Sequence, residues 1–64
     1  MLTPLRKERL MRQWSLYDLR GKTGIPISKL SLVERGIEKA KEDEKKRLAH
    51  ALGLRVEDIF PVSV

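Results

Sequence analysis

The sequence predicts an all-α domain, a compact bundle of four to five helices that contains a helix-turn-helix at about residues 16–35. Three observations carry this prediction. Helix-starting and helix-ending residues recur along the whole chain, the apolar residues between them return every three to four positions, and no run alternates long enough to form a β-strand. The expected helices cover about 4–13, 16–23, 26–35, 42–52 and 56–60, and all 64 residues form one domain.

Thr3-Pro4 opens the first helix, because a threonine hydroxyl accepts a free amide of the first turn and proline suits the first helical position. Ser15 and Asp18 have the spacing of a capping box, and Leu16, Leu19 and Thr23 recur on one side of a second helix. Gly24 ends that helix in the left-handed conformation, while Pro26 pushes Ile25 into an extended shape and opens a third helix. At about 100° per residue this helix carries Ile27, Leu30, Val33 and Glu34 on one side. Ser28, Lys29, Ser31, Leu32 and Arg35 fall on the other, and Gly36 stops the helix. After a linker from Ile37 to Lys41, Glu42-Asp43-Glu44 suits a helix N-terminus, with Lys45, Lys46 and Arg47 one turn later as partners. Gly53 follows that fourth helix, and Glu57 to Phe60 make a last helical turn closed by Pro61.

Charge narrows the function. Fourteen Lys and Arg against nine Asp and Glu give a net charge of +5. Residues 1–22 hold six bases and two acids, 23–36 two and one, and 37–64 six and six, so the whole surplus precedes Ile37. A basic half beside a neutral half fits one face that meets a polyanion through counterion release, or one that meets an anionic membrane surface. A chain this short has little wall for a deep substrate cavity, and no nucleophile, base and orienting acid assemble, so an enzyme is not expected. No cofactor is expected either: there is no cysteine, the sole histidine His50 has no second ligand, and no phosphate-binding glycine loop occurs. The start Leu5-Arg6-Lys7-Glu8-Arg9 lacks the apolar core of a signal peptide, and no uncharged run approaches the roughly 18 residues of a membrane span. A cytoplasmic protein without a membrane partner or evident small-molecule site is the expectation.

Two short helices joined by a glycine turn, inside a basic half, form the arrangement that lets the second helix enter a DNA major groove. The ordered set Ser15, Leu19, Gly24, Ile25, Leu30, Ser31, Glu34 and Gly36 resembles the helix-turn-helix of the lambda-repressor and Cro (Xre-like) family. Leu48-Ala49-His50-Ala51-Leu52-Gly53-Leu54, followed by Val56-Glu57-Asp58-Ile59-Phe60, is similar to that family's closing segment and last short helix. The resemblance spans about residues 5–60 and implies a DNA-binding domain whose third helix reads base edges while the second lies across the backbone.

That resemblance, with the helix angles, assigns base contact to Ile27, Ser28, Lys29, Ser31 and Leu32. Serine can bond most bases, lysine favours guanine or a phosphate, and leucine can only pack, for instance on a thymine methyl. Phosphate contact falls to Ser15, Arg35, Gly36 and Lys39. Arg9, within about 40° of Leu5 on the first helix, is expected to pair with Glu34, as the family pairs these positions. The implied function is a nucleoid-associated, sequence-specific regulator of transcription. It would act on double-stranded DNA as a homodimer reading two half-sites, with Ile59, Phe60, Val62 and Val64 as the candidate dimer surface.

Departures from the family pattern define an alternative. Leu16 replaces a DNA-bonding glutamine, Arg20 a close-packed alanine, Pro26 a serine cap, and Gln13 a helix-ending glycine. Ile27 stands where polar side chains often reach bases and lies in the same arc as Leu30 and Val33, which also fits core packing. Glu8 and Lys45 stand where leucines are common and predict a thin core. These changes fit a protein-interaction module, of antitoxin or adaptor type, that keeps the fold and uses Ile27 and Leu32 to hold a protein partner.

Overall fold

The computed structural model describes residues 3–61. Thr3 starts the first helix as expected: its hydroxyl accepts the Arg6 N–H, Pro4 takes the first position, and α1 runs Pro4–Met11. Ser15 and Asp18 form a reciprocal capping box at 3.1 and 2.8 Å, opening α2, Leu16–Thr23. The others are α3, Ile27–Glu34, α4, Glu42–Leu52, and α5, Val56–Ile59. Among the described residues there is no strand, so the all-α bundle is the architecture.

Several ends differ from expectation. Helix α1 stops at Met11 because Gln13 adopts a left-handed φ of 59°, the one non-glycine among the described residues to do so. The Trp14 N–H then reaches back to the Arg9 carbonyl at 3.2 Å, closing a Schellman-type end. Pro26 is the cap of α3 rather than its first residue, because its ψ of 146° is extended. Arg35 and Phe60 are C-caps outside α3 and α5. Gly24 and Gly53 behave as read, ending α2 and α4 at φ of 74° and 69°.

The core is built where the helices converge. Leu5, Leu19, Ile25, Leu30, Leu48 and Ile59 are almost wholly buried, and Trp14, Leu16, Leu54, Val56 and Phe60 pack around them. Ile25 is notable because it belongs to the turn, not to a helix, and is 2% exposed. Around it the polar groups are paired: the Thr23 hydroxyl donates to the Leu19 carbonyl and accepts the Ile25 N–H, while Arg47 donates to the Thr23 carbonyl. The turn between α2 and α3 is therefore tied to the core by an apolar plug and a satisfied backbone. Glu8 and Lys45, the two charged residues expected to thin the core, are half-buried. Glu8 pairs with Arg12 at 2.9 Å, and Lys45 lies 5.8 Å from the centre of the Phe60 ring.

Through this core runs the Arg9–Glu34 pair. The Arg9 guanidinium donates from Nε and Nη2 to the two oxygens of Glu34 at 2.6 and 3.1 Å, and from Nη1 to the Trp14 carbonyl at 2.7 Å. Both residues are buried, and among the described residues no buried side-chain nitrogen or oxygen lacks a partner. Thr3 adds a second tie, its hydroxyl donating to the Glu34 carbonyl. Arg12 adds a third, reaching the Leu52 carbonyl at the end of α4 at 2.8 Å. Helix α1 thus braces α3, the α1–α2 connection and α4 together.

This brace generates two predictions. Arg9→Ala leaves the Glu34 carboxylate buried and unpaired, a loss of about 3–5 kcal/mol against a total stability on the order of 3–10 kcal/mol for a chain this length. Urea titration should find it largely unfolded, and the double variant Arg9→Met/Glu34→Leu should recover most of the loss. Gln13→Gly relieves the left-handed backbone and should raise stability by about 1 kcal/mol, read as a thermal midpoint higher by about 4–8 °C.

Candidate nucleic-acid interface

The α2–α3 pair sets which side chains face outward. Leu30, Val33 and Glu34 bury the inner side of α3. Opposite them Ser28, Leu32 and Arg35 share about 60° of arc, with Ser28 and Arg35 exposed and Leu32 half-buried. Ile27 and Ser31 lie on one flank, both half-buried, and Ile27 does not join the packed core. Arg35 folds its Nε back to the Ser31 carbonyl at 3.3 Å, leaving its other nitrogens outward.

Lys29, on the opposite flank, is where the structure departs most from expectation. Its ammonium does not stand free on the outward face. It donates to Glu38 at 2.8 Å and lies 3.9 Å from Glu44, with only 18% of its side chain exposed. The hydrogen bond to Glu38 raises its pKa above the ordinary lysine value, with Glu38 and Glu44 adding charge attraction. A raised lysine pKa means the pair's contribution is complete at neutral pH and fades only in strong alkali.

The expected phosphate contacts divide. The backbone amides of Ser15 and Gly36 are already used, by the Asp18 carboxylate and the Val33 carbonyl. Gly36 therefore has no amide to offer an anion, while Ser15 retains its hydroxyl proton. Arg35 and Lys39 are exposed and unpaired with carboxylates among the described residues. Lys39 lines an open cleft of about 660 Å³ whose floor is formed by Leu5, Val33, Ala40, Ile59 and Phe60.

The proposed dimer surface is corrected in part. Ile59 is 2% exposed and belongs to the core, because α5 closes the bundle against α1 and α4. Phe60 is half-buried against the same core. Val62 and Val64 lie outside the described residues.

Ion pairing leaves a definite charge pattern. Eight of the nine acidic side chains are in ion pairs, and the remaining one, Asp18, caps α2. Among the described residues this leaves Arg6, Lys7, Arg20, Lys22 and Arg35 in the α1–α3 half, and Lys39, Lys41 and Lys46 beyond it, without carboxylate partners. The positive surplus legible in the sequence is therefore uncompensated on that half of the fold. At the other end Asp58 is held below the ordinary aspartate range, first by the Arg55 backbone N–H and then by its guanidinium. A depressed carboxyl pKa stabilises α5 above the unfolded aspartate value, and that support is lost as pH falls through the folded one.

Sequence reasoning missed two features here. Arg12, counted in the sequence only among the six bases of residues 1–22, is a structural residue, and the Glu8 four positions earlier was the available signal. Trp14 carries the Lys22 ammonium 4.6 Å from its ring centre and the Arg12 guanidinium at 5.7 Å, so these cations stack on the α1–α2 connection. Among the described residues no group of His, Cys, Asp or Glu is placed to hold a metal ion, and no helix is long and apolar enough to cross a membrane. No family model matches the chain, and no curated protein or solved structure does.

Because the outward side chains of α3 take no part in the core, they should be dispensable for folding. Ser28→Ala and Arg35→Ala are expected to change stability by less than about 0.5 kcal/mol. Leu30→Ala, which empties the inner side of the same helix, should cost about 2–5 kcal/mol in the same denaturation assay.

Proposed function

We propose that this protein binds double-stranded DNA and regulates transcription, laying the outward face of α3 in the major groove as the lambda-repressor and Cro-like proteins it resembles do. The observation that carries the reading is the turn from α2 to α3. Gly24 and the buried Ile25 fix α3 so that Ser28, Leu32 and Arg35 face outward, in the half of the fold that holds five of the eight unpaired cations among the described residues. In this reading Ser28 bonds a base edge, Leu32 packs on a thymine methyl, and Ile27 and Ser31 contact the groove from the flank. Arg35, the Ser15 hydroxyl and Lys39 meet phosphates, and Arg20 and Lys22 add attraction. One domain covers one half-site, so a homodimer reading two half-sites about one helical turn apart supplies useful affinity. Chromosomal DNA in the cytoplasm is the implied location.

A second reading is favoured by a specific feature. Ile27 and Leu32 are apolar and half-buried at the start and middle of α3, and Tyr17 is 72% exposed at the start of α2. A protein partner gripping that surface, as an antitoxin or adaptor would, uses the same fold. Salt separates the two: phosphate neutralisation weakens steeply with ionic strength, and apolar contact does not.

Selection of bound duplexes from a random pool at two salt concentrations tests the proposal. A recovered consensus with two half-sites, and binding that falls with salt, is the expected result. Arg35→Ala should weaken all duplexes alike and lower the salt slope by about 0.9, whereas Ser28→Ala should relax preference at one base pair with the slope unchanged. Failure to retain any duplex in dilute buffer overturns the reading.

A further inference from the structure

We propose that Glu38 is an internal competitor for Lys29, so that a nucleic-acid phosphate engages this lysine only by displacing the glutamate. The inference rests on the DNA-binding reading above. Two carboxylates face Lys29, and they are held differently. Glu44 is committed to the N-terminus of α4, accepting the Lys41 N–H at 2.8 Å, and stays 3.9 Å from the ammonium. Glu38 makes the short contact, 2.8 Å, yet its side chain is 46% exposed and no other described residue binds its carboxylate. It sits on the α3–α4 linker, where its own N–H makes only a long 3.3 Å bond to the Leu32 carbonyl. The pair is open to solvent on the Glu38 side only, and from that side a second anion can exchange for the carboxylate.

The consequence is a cation on α3 that is masked in the free protein. When the lysine changes partners, the counterion released by the phosphate is matched by a cation taken up around the freed Glu38 carboxylate, so the exchange adds little to the salt slope. Removing Glu38 should unmask it. Glu38→Gln keeps the shape of the side chain and removes its charge, while Glu44 remains too distant for a direct hydrogen bond.

The test is a salt titration of affinity for a selected duplex of about 20 base pairs, with the parent, Glu38→Gln, Lys29→Gln and the double variant. Glu38→Gln should steepen the log–log slope by about 0.9, so that its advantage over the parent grows about threefold between 200 and 50 mM salt. Lys29→Gln should leave the parent slope nearly unchanged, and adding Glu38→Gln to it should have no further effect on slope. The thermal midpoint of Glu38→Gln should move by only a few degrees, about what a surface pair contributes. A Glu38→Gln slope equal to the parent's overturns the competitor role while leaving DNA binding intact. So does an equal steepening without Lys29, which marks a general charge effect. A slope lowered by Lys29→Gln alone means the lysine meets phosphate without giving up Glu38, and that result overturns the competitor role too. If none of the four proteins binds the duplex, the DNA-binding reading falls and this inference falls with it.

Discussion

Arg9 uses all three guanidinium nitrogens inside the protein, two on the Glu34 carboxylate and one on the Trp14 carbonyl. Few other arrangements would let so small a domain bury a charge. The cost of removing two ions from water is offset only when their geometry is paired and every remaining donor is satisfied, and here both conditions hold. The pair also decides shape. It joins the middle of α1 to the last residue of α3 and to the residue before the α2 cap, so those three places move as one unit. The outward face of α3 inherits its orientation from that unit.

Around this constraint the charges divide by task. The C-terminal half uses three of its six cations on its own acids, Arg47 with Asp43, Lys45 with Glu42 and Arg55 with Asp58, and leaves Lys39, Lys41 and Lys46 unpaired among the described residues. The N-terminal half uses Arg9 and Arg12 as braces and leaves its other bases unpaired among the described residues, apart from Lys29. Net charge alone would not distinguish a bracing arginine from one available to a polyanion. The pairing pattern does, and it leaves five of the eight unpaired cations among the described residues in the α1–α3 half.

Local features were the most legible in the sequence. The Ser15–Asp18 box, the helix-ending glycines Gly24 and Gly53 and the acidic first turn of α4 act within four residues of chain, and each formed as read. The Arg9–Glu34 pair spans 25 positions and was legible through helix angle together with family resemblance. What escaped depended on neighbours that local spacing does not reveal. Lys29 faces away from the core by angle, but a long flexible side chain bends toward the nearest carboxylate, and Glu38 arrives there only through the path of the linker. Arg12 meets the carbonyl of Leu52, 40 positions away. Ile59, in the expected last turn, reads as part of a dimer surface until α5 is seen closing the bundle. Gln13 is a subtler case, since the missing glycine was visible but the chain takes the left-handed shape regardless.

Ile25 has a consequence for how such a protein can diversify. A loop residue sunk into the interior anchors the second helix of the pair from beneath, so the exposed row above it is free of any duty in holding the fold. Side chains along that row can be exchanged wholesale while the scaffold's angle of presentation persists. Surface chemistry and architecture can then change on separate timetables, because Ile25, Leu30, Val33 and the Arg9–Glu34 pair all hold the helix from its inner side.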